Sequence, residues 1–241
     1  MELRNAGVTA PSATGAVTIL HPTTLTLTER RISIIGGNGS GKSTLARLIN
    51  GLVEPSTGSV RITVGPAGSA GEPDRALDTR RDGPAVRRSV GFVFTDPSAQ
   101  LIMPTAAEDV ALSLRRTHPG KRERRAAAVA VLERFGIAGL AEQSVHSLSG
   151  GQKQLLAIAA VLAADPAILV ADEPTTLLDL RNARRIGELL MALPQQLVLV
   201  THELELAAQA DRSLVVDGGR VVFDGDPRDA VAHYRALAER P

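Results

Sequence analysis

The chain has 241 residues, of which 44% are apolar and only 2% aromatic, so it can form one domain whose core consists mainly of aliphatic side chains. Its 27 basic and 26 acidic residues leave a net charge of +1, which argues against a general nucleic-acid binder, because such proteins depend on a basic surface. The absence of cysteine excludes disulfides, thiolate metal sites and thiol catalysis.

The sequence predicts neither a secretory signal nor a membrane span. Residues 1–5 lack the basic and then apolar pattern of a signal peptide. The longest apolar run, over 155–164, is broken by Asp165 and Pro166, whereas a span needs about 20 residues. We therefore expect the protein to serve a membrane, if it does so, through a partner.

The first part of the chain predicts strands around a glycine-rich loop. β-Branched residues and partial alternation predict strands over 17–20, 25–27 and 60–64. A further strand over 31–35 runs into the loop, and a helix over 43–52 follows it. This order of strand, glycine-rich turn and helix is typical of a phosphate-binding site.

The glycine-rich loop has the G-x-x-x-x-G-K-S pattern of a phosphate-binding loop. Small residues let its backbone N–H groups turn toward phosphate oxygens, and the following helix adds its positive N-terminal end. Lys42 can reach the β- and γ-phosphates, and the Ser43 hydroxyl can ligate Mg²⁺. The predicted nucleotide-binding residues are Gly36, Gly37, Asn38, Gly39, Ser40, Gly41, Lys42, Ser43 and Thr44.

The middle of the chain changes from irregular to helical patterns. The stretch 65–84 has almost no apolar periodicity and predicts a mobile surface loop, followed by a buried strand over 90–94. Helical patterns then occur over 107–114, 122–135 and 152–164. We interpret these helices as a lobe inserted into a sheet domain.

A second candidate anion site precedes the apolar helix over 152–164. Ser149 is a natural N-cap, and the glycines that follow it let backbone amides approach an anion. A single nucleotide would not obviously need two such sites from one chain. We therefore predict a head-to-tail dimer in which each nucleotide lies between the loop of one chain and a segment of the other. That segment consists of Leu148, Ser149, Gly150, Gly151 and Gln152.

The last third of the chain supplies more strands and three candidate catalytic residues. Strands are predicted over 168–172, 197–201 and 214–216, and two glycines then turn a hairpin into 220–223. Strands that alternate with helices favour an α/β fold with a mainly parallel sheet.

Asp172 ends an aliphatic strand at the edge where open α/β sheets bind ligands, so it can hold Mg²⁺ through water. Glu173 points elsewhere and can act as the general base that polarises the attacking water. His202 follows the next strand, where it can contact the γ-phosphate and hold Glu173 and the water.

These motifs, in this order, resemble the nucleotide-binding subunit of an ATP-binding cassette (ABC) transporter over almost the whole chain. Residues 36–43 resemble Walker A, 148–152 the signature and 168–173 Walker B, while Asp179 resembles the D-loop aspartate and His202 the switch histidine. The resemblance implies an ATPase with ATP and Mg²⁺ as cofactors.

The resemblance also implies one P-loop NTPase cassette over residues 1–241. In it, residues 1–94 and 165–241 form an α/β core, with a mainly parallel sheet and an N-terminal antiparallel β subdomain. Residues 95–164 form the inserted α-helical lobe that carries the signature motif.

Within that family the chain is most similar to the energy-coupling factor (ECF) importers. The likeness implies that two ATPase chains pair, bind a transmembrane coupling subunit and drive a substrate-binding membrane protein, peripherally at the cytoplasmic face of the membrane. The segment 95–114 would then lie near the docking groove for the coupling subunit. The residues that carry this likeness are Phe92, Val93, Phe94, Asp96, Pro97, Gln100, Leu101, Ile102, Met103, Pro104, Thr105, Glu108, Asp109, Val110, Asp172, Glu173, Pro174 and Thr175.

Two departures from the family pattern are visible. Thr95 stands at the Q-loop position, where the family usually has a Gln that senses Mg²⁺ and the γ-phosphate, and a Thr could reach the metal only through water. No aromatic residue precedes Phe92, although the family usually stacks adenine on one. Recognition of the base would then either be loose or use aliphatic contacts near residues 8–17.

Several alternatives stay open. Biotin is the favoured cargo, on the loop 95–97 and the segment 174–179, with cobalt or nickel as the alternative. A soluble ABC ATPase that acts on nucleic acid or ribosomes is the alternative of another class, although we expect no nucleic-acid partner. The dimer can consist of two copies or of two different ATPases. The basic stretch 115–125 either approaches the membrane or a partner, or is a solvated helix face.

Overall fold

The computed structural model describes residues 1–13, 15–65 and 74–239, and these ranges contain ten strands and eight α-helices. The strands are β1 (Glu2–Ser12), β2 (Gly15–Thr26), β3 (Arg31–Ile35), β4 (Thr57–Val64), β5 (Arg75–Asp78), β6 (Val90–Val93), β7 (Ile168–Asp172), β8 (Gln196–Val200), β9 (Arg212–Asp217) and β10 (Arg220–Gly225). The helices are α1 (Lys42–Asn50), α2 (Gly83–Ser89), α3 (Ala106–Ser113), α4 (Lys121–Arg134), α5 (Gly150–Leu162), α6 (Leu180–Ala192), α7 (Leu204–Ala207) and α8 (Pro227–Ala238).

The strands form two sheets. One is four-stranded and antiparallel, with the order β2-β1-β4-β5. The other is six-stranded, with the order β10-β9-β3-β8-β7-β6, and only β10 runs antiparallel to its neighbour. The predicted α/β class with a mainly parallel sheet is therefore confirmed. Within the described ranges, no helix is both long and apolar enough to cross a membrane.

The buried side chains divide into two main clusters that share the parallel sheet. One joins α3, α4 and α5 to one face of the sheet, and it includes Leu148 and Leu155 on either side of the predicted signature glycines. The other joins the antiparallel sheet and α1 to the opposite set of strand residues, and it includes Leu45 and Leu48 of α1. The predicted phosphate loop and the predicted signature are thus anchored in different parts of the core.

The prediction of a loop over 65–84 is wrong for the part that the structure describes. Residues 66–73 lie outside the described residues, but β5 and the start of α2 fall within the interval. Strand β5 pairs with β4, so that Leu77 stands opposite Ile62 and is buried. One buried side chain is enough to hold β5 in the sheet, because the edge of β4 supplies the backbone hydrogen bonds.

The N-terminal hairpin also differs from the prediction. β2 is one continuous strand where two short ones are predicted, and β1 pairs with it although no strand is predicted there. Pro22 lacks an N–H group, and the adjacent His21 N–H leaves the sheet to donate to the Gly219 carbonyl over 2.7 Å. This bond ties the hairpin to the turn between β9 and β10.

Candidate active site

The phosphate loop follows β3, a strand whose five residues are all buried. Gly36 begins the loop with φ of 151°, and a Cβ atom there would lie 2.1 Å from the Val216 carbonyl oxygen, so only glycine fits. The Gly219 N–H donates to the Ser40 carbonyl over 2.9 Å. The loop is therefore held against the end of β9 and the turn that follows it.

Lys42 is nearly buried at the start of α1. Its ammonium group donates to the carbonyl oxygens of Gly36 and Gly37, both over 2.8 Å. Burial lowers the pKa of Lys42, while the charges of Glu173 and Asp172 oppose that shift. The cation is thus held over the loop, where a bound phosphate could take the place of the two carbonyls.

Asp172 lies at the end of β7, opposite α1. The Ser43 hydroxyl donates to its Oδ1 over 2.8 Å, and an Arg47 guanidinium nitrogen lies 3.4 Å from its Oδ2. Burial raises the pKa of Asp172, while the Ser43 bond and the Arg47 charge partly oppose that shift. Arg47 is a neighbour that the sequence analysis missed, although its position one helical turn after Ser43 puts both on one face of α1.

The Ser43 and Asp172 oxygens fit the hard-oxygen preference of Mg²⁺. In the described part of the chain, no group of three or more His, Cys, Asp or Glu residues could hold a metal ion. An ion here would therefore take its remaining ligands from water and phosphate oxygens, which is the usual arrangement for Mg²⁺.

Glu173 and His202 meet at the same sheet edge because β7 and β8 are parallel neighbours. His202 Nδ1 lies 2.7 Å from Glu173 Oε2, and the Thr176 hydroxyl donates to the same oxygen over 2.9 Å. The Glu173 N–H donates to the Val200 carbonyl over 2.9 Å, although the residue has a left-handed φ of 52°. Such backbone strain in a non-glycine residue is typical of functional sites.

Thr95 does not project freely into this site. Its hydroxyl donates to the backbone carbonyl oxygen of Asp172 over 2.9 Å. Gln100, the nearby glutamine, is bonded to the β6 segment instead, through the Phe94 N–H and the Phe92 carbonyl, both over 3.3 Å. Gln100 therefore does not replace the missing Q-loop glutamine.

The predicted signature begins α5. Ser149 and Gln152 form a reciprocal capping box: the Ser149 N–H donates to the Gln152 side chain over 2.9 Å, and the Gln152 N–H donates to the Ser149 hydroxyl over 3.3 Å. Gly151 contacts Asn182, whose side chain also donates to Asp179. A cavity of about 370 Å³ lies against Ser149, Gly151 and Asn182.

The predicted site residues thus fall into two groups. The phosphate loop, Asp172, Glu173, His202 and Thr95 form one group at the carboxyl edge of the parallel sheet. The signature and Asp179 form the other group, joined by Asn182, which the sequence analysis missed. Its position three residues after the N-cap Asp179 was the available signal, since N-cap side chains bond there.

The β1–β2 hairpin borders the phosphate loop. A Cβ atom at Gly41 would lie 2.9 Å from the Ile19 carbonyl oxygen, so β2 runs directly against the loop. Val17, two residues earlier in β2, is 46% exposed. The surface beside the loop therefore offers an aliphatic side chain where the sequence predicts an aliphatic contact with adenine.

Comparisons with known proteins agree on the family. The family model for ABC transporters matches residues 20–176. A putative ABC transporter ATP-binding protein from Bartonella quintana is 44% identical over 91% of this chain and 92% of its own length. The biotin transport ATP-binding protein BioM from Rhizobium etli is 42% identical over 93% of this chain and 94% of its own length.

Two solved structures share the fold. A dimeric ATP-binding cassette bound to ADP and Pi has a TM-score of 0.79 and 31% identity, covering 94% of this chain and 98% of that one. The cassette cbiO1 of Clostridium perfringens, part of the ABC transporter complex cbiONQ, has a TM-score of 0.75 and 29% identity, covering 99% of this chain and 92% of that one.

Proposed function

The chain belongs to the ABC transporter family of ATP-hydrolysing subunits, and on that premise we propose that it powers an ECF-type importer of a micronutrient, with biotin as the favoured cargo. The observation that carries the proposed ATP hydrolysis is the hydrogen-bonded pair of Glu173 and His202 beside the Ser43–Asp172 pair, while the importer type and the cargo are supported by the biotin transport relative. In this arrangement, a general base for the attacking water lies next to residues that can bind phosphate and a metal ion.

The residues grouped around the phosphate loop have distinct roles in this proposal. The backbone N–H groups of the loop and Lys42 bind the β- and γ-phosphates. Ser43 and Asp172 would hold Mg²⁺, whose chemistry when bound is to neutralise negative charge on the phosphates. Buried carboxylate and ammonium groups suit this task, since the charges of the bound ligand offset the cost of their burial.

Glu173 acts on the attacking water in this proposal. Its carboxylate accepts a proton from the water, and His202 and Thr176 orient the carboxylate through their hydrogen bonds to Oε2. While Nδ1 of His202 donates to Glu173, Nε2 is left for a γ-phosphate oxygen, to which it donates when the ring is protonated. His202 is thus a positioning residue for Glu173 and a candidate contact for the nucleotide.

The second ATPase chain completes each site. The signature and the phosphate loop are anchored in different core clusters, which supports a nucleotide shared between the loop of one protomer and Ser149, Gly150 and Gly151 of its partner. A solved cassette of the same fold is dimeric with ADP and Pi bound, which also supports the pairing. Asp179 lies next to the signature and would face the same nucleotide.

The relatives support the proposed membrane partners and the proposed cargo. A relative that matches almost the whole chain is a biotin transport protein, and a similar structure is part of a transporter complex. We therefore assign the chain a peripheral place at the cytoplasmic face of the membrane, where it binds a transmembrane coupling subunit and through it a substrate-binding membrane protein. Cobalt or nickel is the alternative cargo.

Uptake measurements separate the cargoes. Cells that lack this chain should accumulate less labelled biotin, and the wild-type gene should restore uptake whereas Glu173→Gln should not. Glu205→Gln, at an exposed carboxylate of α7, is the matched control and should restore uptake fully. Normal biotin uptake together with lost cobalt or nickel uptake would move the assignment to the alternative cargo.

Affinity purification from detergent-solubilised membranes separates the two classes of ABC ATPase. We expect the tagged chain to retain small integral membrane proteins after nuclease treatment. Recovery of ribosomes or nucleic acid, with no membrane protein retained, would instead support the soluble alternative.

A further inference from the structure

Asn182 donates a hydrogen bond to each carboxylate oxygen of Asp179. Its backbone N–H donates to Oδ1 over 2.9 Å, and its side-chain Nδ2 donates to Oδ2 over 2.8 Å. These bonds lower the pKa of Asp179 and so favour the ionised carboxylate. The Asp179 side chain is exposed, and its two bonds to Asn182 limit its rotation.

The same carboxamide lies against Gly151 on its other side. A Cβ atom placed on Gly151 would lie 2.7 Å from Asn182 Cγ and 2.9 Å from both Nδ2 and Oδ1. Since side chains do not pack that closely, a methyl group at 151 would have to push the carboxamide away. A displaced carboxamide would no longer be in place for its hydrogen bond to Asp179.

We propose that Asn182 is a positioning residue that fixes the signature segment and Asp179 to each other within one protomer. The two elements are 28 residues apart in sequence and belong to different helices, α5 and α6. Through Asn182 they would meet the partner's nucleotide as one preformed surface. This inference rests on the proposed shared-site dimer, because only there do both elements face a nucleotide.

Gly151 then has a role that the signature pattern does not indicate. The pattern explains this glycine by the close approach of backbone amides to phosphate. The packing gives a second explanation, namely that the absence of a side chain at 151 leaves room for the carboxamide that holds Asp179. The two explanations predict different outcomes when Gly151 and Asn182 are changed together.

A double-mutant cycle distinguishes them. In a Glu173→Gln background, ATP-driven dimerisation is measured by analytical ultracentrifugation for Gly151→Ala, Asn182→Ala and the double variant. Each single change should weaken dimerisation about tenfold for each of the two nucleotide sites, the effect of losing one hydrogen bond to a charged group per protomer. The double variant should be no weaker than either single variant, because Gly151→Ala has no carboxamide left to displace.

Other outcomes overturn the proposal. Effects of the two changes that multiply to about a hundredfold for each site would mean that Gly151 acts on the nucleotide independently of Asn182. Unchanged dimerisation of either single variant would also contradict the proposed coupling of Gly151 to Asp179 through Asn182. Arg184→Ala, at an exposed residue of α6 that pairs with Glu188, is the control and should leave dimerisation unchanged.

A second measurement does not depend on the dimer. In the nucleotide-free protein, Gly151→Ala should speed hydrogen exchange at the Asn182 N–H, since a displaced carboxamide no longer holds the Asp179 carboxylate, whose Oδ1 accepts from that N–H. The melting temperature should stay near the parent value, because alanine is a better helix residue than glycine. Unchanged exchange would overturn the proposal. A Glu173→Gln parent that does not dimerise with ATP would overturn only the shared-site dimer.

Discussion

The Thr95 hydroxyl donates a hydrogen bond to the backbone oxygen of Asp172 over 2.9 Å. Thr95 follows β6 and Asp172 ends β7, so this bond joins the ends of two neighbouring parallel strands. The hydroxyl proton is therefore already engaged, and only the lone pairs of Oγ1 are left for a water molecule. We therefore expect Thr95 to act first on the position of Asp172 and only indirectly on a nucleotide.

Thr95→Val should lower ATPase activity modestly, because it keeps the shape of the side chain and removes the hydroxyl. The loss should be smaller than the ~10²-fold expected when a group that stabilises transition-state charge is removed. Thr95→Ser is the matched control and should keep activity, and Thr95→Gln should be tolerated. Loss of hydrolysis as complete as in Glu173→Gln would mean that Thr95 contacts the reacting groups directly.

Asp172→Asn should raise the melting temperature of the nucleotide-free chain while it abolishes hydrolysis. Burial raises the pKa of Asp172 in the folded chain above the ordinary value of 3.8. Between the ordinary pKa and the raised pKa, a rise in pH ionises the buried carboxyl group and lowers the free energy of unfolding. The gain should therefore be largest near neutral pH and shrink as the pH falls toward the ordinary value. Exposed Asp217→Asn is the control. A less stable Asn variant at neutral pH would mean that the pairing with Arg47 outweighs burial.

Glu173→Gly should be more stable than Glu173→Ala. Both variants lose the carboxylate and should not hydrolyse ATP, so their difference isolates the backbone. At the observed φ of 52°, a residue with a Cβ atom pays about 1 kcal/mol that glycine avoids. Urea unfolding measures the difference. The same pair at Glu205, within α7, should show the opposite order because alanine favours helix there. The same order at both positions would contradict the strain at Glu173.

The sequence predicted the parts of the fold in which a local pattern agrees with the final structure. Strands β3, β7 and β8 are short, mainly aliphatic segments that are buried nearly throughout, so their patterns were clear. β1 was not predicted because Asn5 has a left-handed φ of 48° and the pairing register shifts on both sides of Ala6. Its pairing with strands on both sides compensates for the weak local preference.

In the candidate site, too, features with a local sequence pattern were predicted, and features that depend on distant parts of the chain were not. The motifs identified the phosphate loop, the two acidic residues and His202, because each motif is contiguous in sequence. The partners of Thr95 and Gly151 could not be predicted, since both contacts join loops or helices from distant parts of the chain. Helix α6 was missed although its signal was present: Asp179 caps it, and Ile186 and Leu190 are buried four residues apart.

The shared site itself can be tested by mixing two inactive variants. Lys42→Ala damages the phosphate loop, and Ser149→Arg places a bulky side chain at the signature N-cap, so each homodimer should be inactive. In a mixed dimer one site carries both changes and the other carries neither. With random pairing, half of the dimers are mixed and each has one of two sites intact, so the mixture should recover about a quarter of wild-type ATPase activity.

This recovery requires that a single intact site can turn over. The matched control is a mixture of Lys42→Ala with Asp172→Asn, because both changes lie in the same half of the site and no mixed dimer has an intact site. Recovery in the first mixture and none in the second would support a nucleotide that lies between two protomers. Equal recovery of activity in both mixtures would contradict it, since complementation would then not depend on which half of the site each chain supplies.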